Sequence, residues 1–75
     1  MTKQEFTNEV INEAENRPSH IRYGQAVFNY IDAKYGVARI LQFEHRVDCF
    51  YKDDKRDCLE FIDKAYEVAK KLNIL

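Results

Sequence analysis

Ser19-His20-Ile21-Arg22-Tyr23-Gly24-Gln25-Ala26-Val27-Phe28-Asn29-Tyr30-Ile31-Asp32-Ala33-Lys34-Tyr35-Gly36 carries more structural information than any other stretch of this 75-residue chain. Wound at about 100° per residue, it gathers Ile21, Gly24, Val27, Phe28, Ile31 and Tyr35 into one stripe, with Tyr23 and Tyr30 on the adjoining flank. An apolar arc of that width needs more than one neighbour, so Ser19–Tyr35 reads as the central helix of a bundle. Ser19 is placed to cap it, and Gly36 to end it in the left-handed conformation that glycine adopts without steric cost. Gly24, inside the helix, costs about 1 kcal/mol relative to alanine. It marks a close approach by a ligand or by another backbone, and of these a tight helix crossing is expected.

Outward from this segment the other elements follow. Thr2 and Glu5 have the spacing of a capping box and open a first helix, with Phe6, Val10, Ile11 and Ala14 on one face and Glu5, Glu9, Glu13 and Glu15 making it acidic. Asn16-Arg17-Pro18-Ser19 stops it, because a residue before proline is pushed out of the α region. After Gly36, Val37, Ile40, Leu41, Phe43 and Val47 form a shorter helical stripe; a strand competes here, but strict alternation fails at Ile40-Leu41. Val47 to Asp54 reads as a loop pinned to the core by Phe50 and Tyr51. The closing helix is signalled by Asp53, Asp54 and Asp57 at its start and Lys70 and Lys71 at its end, which match the helix dipole. Glu60 to Lys64 and Glu67 to Lys71 are spaced as i,i+4 pairs, and Cys58, Leu59, Phe61, Ile62, Ala65, Tyr66, Val68, Ala69 and Leu72 make a broad apolar side. The expected fold is a single all-α domain over residues 1–75, a small orthogonal or up-down bundle of three to four helices packed around Ser19–Tyr35.

Composition narrows the function classes. Twelve basic and thirteen acidic residues leave a net charge of −1, so no overall field draws the chain to nucleic acid or to an anionic membrane. No apolar run approaches the ~20 residues of a membrane span. The polar start Met1-Thr2-Lys3-Gln4-Glu5 is not followed by the apolar region of a signal peptide, so a cytoplasmic protein is expected. Cys49 and Cys58 are too few for a disulfide scaffold and read as small, free core residues, with a single bridge as the alternative.

Arg22-Tyr23-Gly24-Gln25-Ala26-Val27-Phe28-Asn29, followed by Asp48-Cys49-Phe50-Tyr51-Lys52-Asp53, resembles short uncharacterised proteins of bacteriophages and bacterial mobile elements. Those proteins carry an Arg-x-Gly-Gln-Ala-x-x-Asn segment, then an Asp-x-Phe-Tyr element and a closing helix. The likeness runs from about Arg17 to Ile62. This chain departs from the pattern at Cys49, where proline is common, and the loop is free to turn differently there. The resemblance implies a phage, prophage or host-bacterial setting and transfers no catalytic residue.

The narrow polar strip Arg22, Gln25, Asn29 and Asp32 is either a recognition edge, the solvated side of a helix, or a brace for the Asp48–Tyr51 loop. Tyr23, Tyr30, Tyr35 and Tyr51 exceed what so small a core encloses, so an exposed aromatic surface near Arg22 and Gln25 is expected. The leading expectation is a protein-binding module, acting on a partner or on its own copies, with Arg22, Tyr23, Gln25, Asn29 and Tyr51 as contacts. The alternative is a helix-turn-helix-like DNA-binding protein using Arg39, Gln42 and Arg46, with His45 beside them, since Arg and Gln suit guanine and adenine edges. His20, His45, Cys49 and Cys58 lack a recognised zinc spacing, so no metal site and no cofactor is expected. Cys49 with His45, or Asp53 with Asp54, could be imagined as catalytic, but nothing supplies an oxyanion site or cleft, so no enzyme is expected.

Overall fold

In a computed structural model describing residues 1–75, four helices and no strand surround one core. Helix α1 spans Lys3–Glu15, α2 Tyr23–Tyr35 and α4 Lys55–Lys71; between the last two, the single turn α3, Ala38–Ile40, runs straight into a π-helical turn, Leu41–His45. Helix α2 packs against α1, α3 and α4, as its wide apolar arc requires. Val27 and Ile31 are fully buried, and Phe28 stacks on Phe61 of α4 with ring centroids 5.8 Å apart.

Several local signals act as their chemistry dictates. The Thr2 hydroxyl accepts from the Glu5 amide at 3.1 Å while the Glu5 carboxylate accepts from the Thr2 amide at 2.8 Å, closing the capping box. Gly36 sits at φ 72° with its N–H donating to Ile31 and Asp32 carbonyls, a left-handed stop. Asp54 caps α4 by accepting from the Arg56 amide at 3.0 Å.

The start of α2 is different from expectation. The helix begins at Tyr23, with Arg22 as an extended cap residue that makes no side-chain capping bond. Ser19 therefore caps nothing. Residues 19–22 instead form a turn held from α1: the Ile21 amide donates to the Pro18 carbonyl, and the Arg17 guanidinium donates to the carbonyls of Ile21 at 2.7 Å and Ala14 at 2.9 Å. A long side chain reaching across the corner replaces the cap that the sequence implied.

The segment after Gly36 also departs from simple periodicity. Val37, Ala38 and Leu41 are buried as the stripe requires, but Phe43 is 75% exposed. In the π turn the Arg46 amide donates to Leu41, five residues back, and the widened turn carries Phe43 off the apolar face that α-helical spacing assigned to it. Arg46 ends this turn at φ 56°, ψ 33°, and Val47 N–H also reaches the Leu41 carbonyl at 3.0 Å. A left-handed non-glycine residue costs about 1–2 kcal/mol. Arg46→Gly is therefore expected to raise the melting temperature by about 4–8 °C, following about 1 kcal/mol for a domain of this size; a fall on thermal unfolding would show that the arginine side chain stabilises more than its backbone costs.

On α4, Leu59 and Leu72 lie at the edge of the apolar side and are 41% and 52% exposed. The Glu60–Lys64 and Glu67–Lys71 pairs do not close. Lys3 of α1 takes Glu67 at 3.8 Å, together with Asp63 at 2.9 Å, because α1 packs beside α4 and offers a cation across the helix gap, and Glu60 makes no ion pair.

Candidate functional site

The loop from Arg46 to Asp54 is laid over the start of α2, and Gly24 is what permits it. Its N–H donates to the Lys52 carbonyl at 2.8 Å, and its carbonyl accepts from the Cys49 thiol at 3.6 Å. The close approach that Gly24 signals is thus made by loop backbone, not by a crossing helix or a ligand, because the loop must pass within van der Waals contact of α2 to bring Cys49 into the core. Within the loop, the Asp48 carboxylate accepts from the Phe50 amide at 2.9 Å and from the Gln42 side chain at 3.0 Å. Phe50 meets Phe28 edge-on at 5.5 Å. Cys49 and Phe50 pin the loop, whereas Tyr51, expected to share that task, is 73% exposed, with its ring edge-on to Phe50 at 5.1 Å.

The result is a shallow surface hollow of about 290 Å³ lined by Phe28, Arg39, Gln42, Phe43, Phe50 and Tyr51. Phe28 and Phe50 form its inner wall, and Phe43 and Tyr51 stand out at its lip. The polar edge of α2 runs along this region between two ion pairs: Arg22 reaches Asp53 at 3.8 Å, and Asp32 holds Arg39 at 3.4 Å. Gln25 and Asn29 lie along the edge between those pairs without a hydrogen bond to the rest of the chain, so their amides remain available. Arg22 thus reaches Asp53, beyond the Asp48–Tyr51 segment that the strip was expected to brace, and the Asp48 carboxylate is held by Gln42 and the Phe50 amide instead.

Tyr23 is not part of any surface. It is 5% exposed, its ring lies under the Arg17 guanidinium at 5.2 Å, and its hydroxyl is buried without a partner. Burial, with the Glu15 carboxylate next, pushes its pKa up to about 12. A residue expected at the contact surface therefore serves the core, because Tyr23 stands four residues before Val27 and shares its buried face of α2. An unpaired buried hydroxyl costs free energy that a phenyl ring does not. Tyr23→Phe is expected to leave stability unchanged or to raise it by up to about 1 kcal/mol in urea unfolding; a loss of that size would reveal a hydrogen bond made by the hydroxyl.

Tyr30 and Tyr35 are also withdrawn from the expected aromatic surface. Both are half-buried and donate to the same Glu9 carboxylate oxygen, at 2.6 and 2.7 Å, and Lys34 donates to it at 2.8 Å. Nothing in the local pattern singled out Glu9 from its acidic neighbours on α1. The exposed aromatics are instead Phe43 and Tyr51, and of the four tyrosines only Tyr51 reaches the surface as expected.

The residues of the DNA-binding alternative are placed on short, partly engaged structure. Arg39 is tied to Asp32, Gln42 to Asp48, and Arg46 caps the π turn. The element that would enter a groove is eight residues of α3 and π turn, not a full helix. The two cysteines are free and buried, and burial raises both thiol pKa values, so neither presents a reactive thiolate.

A second, larger hollow of about 610 Å³ lies between α4 and the π turn, with Ile40, Val68 and Leu72 among charged side chains of both signs. Its one aromatic lining residue, Tyr66, is buried. No family model matches this chain, and no curated protein or solved structure matches it either.

Proposed function

We propose that this protein is a protein-binding module whose contact face combines the outer edge of α2 with the π turn and the loop that follows it. The observation that carries this reading is the pair Phe43 and Tyr51, each about three-quarters exposed at the lip of an aromatic hollow with Arg39 and Gln42 beside it. Two large rings held in water beside an arginine are the composition from which interface hot spots are made. In this reading Arg22, Gln25, Asn29 and Tyr51 keep the contact role assigned from sequence, Tyr23 drops out, and Phe43, Arg39 and Gln42 join. The π turn is itself a feature found often at functional sites. A phage or prophage accessory factor is the setting in which the resemblance of Arg22–Asn29 and Asp48–Asp53 would place such a module.

The test is affinity capture from bacterial lysates, with and without phage infection, comparing the natural chain with a Phe43→Ser, Tyr51→Ser double variant. Both positions are exposed, so unfolding stability should change by no more than about 0.5 kcal/mol at each. Loss of the captured partner with the fold intact is the expected result. Equal capture by both chains would overturn the reading. Binding of duplex DNA at low salt that is lost in Arg39→Ala and Arg46→Ala would replace it with the DNA-binding alternative.

A further inference from the structure

We propose that Cys49 and Cys58 form a reversible latch, a dithiol that closes to a disulfide and locks the Arg46–Asp54 loop onto α4. The latch is independent of what the contact face binds. Cys49 rides on the loop and Cys58 stands near the start of α4. Both side chains are sealed in the same core, and the two thiols lie within hydrogen-bonding reach of one another. The loop that carries Cys49 has no helix or strand of its own. Its ties to α2 are the bond from the Gly24 amide to the Lys52 carbonyl at 2.8 Å, the weak bond from the Cys49 thiol to the Gly24 carbonyl at 3.6 Å, the Phe50 ring against Phe28, and the exposed Arg22–Asp53 pair. A segment held by so few contacts lifts at a lower free energy than the helices beneath it unfold.

With the loop down, burial holds both thiols protonated and inert. When the loop lifts, Cys49 enters water. Its thiolate attacks one sulfur of a low-molecular-weight disulfide, forming a mixed disulfide and releasing a small thiolate that takes up a proton. When the loop returns, Cys58 gives up its proton and attacks the Cys49 sulfur, and the second small thiol leaves as the new S–S bond forms. The protein thiols together lose two electrons and two protons, and the small disulfide gains them as two thiols. An excess of small thiol runs the same steps backwards. Gly24 reports on the result. Its amide lies in the first turn of α2, where a helix supplies no acceptor, and it relies on the Lys52 carbonyl. Exchange of that amide with solvent therefore tracks the lifting of the loop.

The test equilibrates the folded natural chain, well below its melting temperature, with mixtures of oxidised and reduced glutathione, then quenches with acid and weighs the products. A monomer lighter by two hydrogen atoms, blocked to alkylation at both cysteines and restored by dithiothreitol, is the expected product. In that bridged form Gly24 amide exchange, followed by NMR, should slow about tenfold or more, and the melting temperature should rise by roughly 10 °C. Cys58→Ala in the same mixtures should yield only a glutathione adduct at Cys49, with Gly24 exchange no slower than in the reduced natural chain. Adducts of the natural chain that never resolve, disulfide-linked dimers, or a bridge that forms only in urea would each overturn the latch, because the fold would then not bring the two sulfurs together. A bridge that leaves Gly24 exchange unchanged, or lowers the melting temperature, overturns it equally, because the loop would not be what the bridge holds.

Discussion

Gly24→Ala should cost about 3 kcal/mol and lower the melting temperature by about 12–24 °C, the largest effect expected of any single methyl group in this chain. A Cβ at that position would lie 1.7 Å from the Cys49 carbonyl oxygen, 2.8 Å from the Lys52 carbonyl oxygen and 2.9 Å from the Cys49 carbonyl carbon. All three are backbone atoms, so no side chain can swing aside. The loop must lift away, which breaks the 2.8 Å bond from the Gly24 amide to Lys52 and draws Cys49 and Phe50 out of the core. Alanine's better helix propensity returns only about 1 kcal/mol. A chain of this length has a total stability of about 4–11 kcal/mol, so the loss is a substantial share of it. Two readouts separate loop displacement from general weakening: thermal unfolding, and the rate at which Cys49 reacts with a thiol reagent well below the transition. Both should change. Gly36→Ala is the control, because a Cβ there meets nothing and only the left-handed backbone at φ 72° is strained; its cost should stay near 1 kcal/mol. A Gly24→Ala protein as stable as the natural one, with Cys49 still protected, would show that the loop is not seated on α2.

The second large effect is acid destabilisation through Glu9. Burial on its own would raise the pKa of this carboxyl, but hydrogen bonds from Lys34, Tyr30 and Tyr35 override it and lower the value from 4.5 to about 2. The folded state therefore holds the ionised form more tightly than the unfolded chain does. Its contribution is fully present above pH 4.5 and is lost as the pH falls towards 2. After allowance for the water that still reaches this cluster, the contribution is about 2 kcal/mol. The Glu5 carboxyl is also lowered, by the Thr2 amide and hydroxyl of the capping box, so the natural chain weakens over this range for two reasons. Glu9→Gln isolates the first. It keeps an oxygen for the tyrosine hydroxyls but loses the charge that holds Lys34. Urea unfolding should find it about 2 kcal/mol less stable than the natural chain at pH 7, with the two converging near pH 2. Parallel pH profiles would show that the carboxylate is not ionised more readily in the fold.

These two positions also mark where reading the sequence succeeds and where it stops. Helix positions follow from periodicity, and the ends at Thr2, Gly36 and Asp54 follow from groups that bond within a few residues of themselves. Such bonds form wherever the local chain goes, so the residue types alone carry them. Gly24 could be recognised as a close approach, but what approaches comes from Cys49 and Lys52, more than twenty residues away. Glu9 is one of several glutamates on α1 until α2 packs beside it and brings three donors to one oxygen.

The proposed contact face divides in the same way. The outer edge of α2 was legible, since a polar strip on an amphipathic helix faces away from the core. Tyr23 was misplaced because it stands four residues before the buried Val27 and so shares its face instead of the flank; the start of the helix also shifted, by three residues, because Arg17 holds the preceding turn. Phe43 was misplaced because one π turn breaks the 3.6-residue spacing on which the inference depends. Local pattern therefore established the helices, their order and most of the core, because each depends on neighbours in the chain. Packing alone established which aromatic rings face water and which glutamate joins α1 to α2, because those outcomes depend on groups that meet only once the chain has closed on itself.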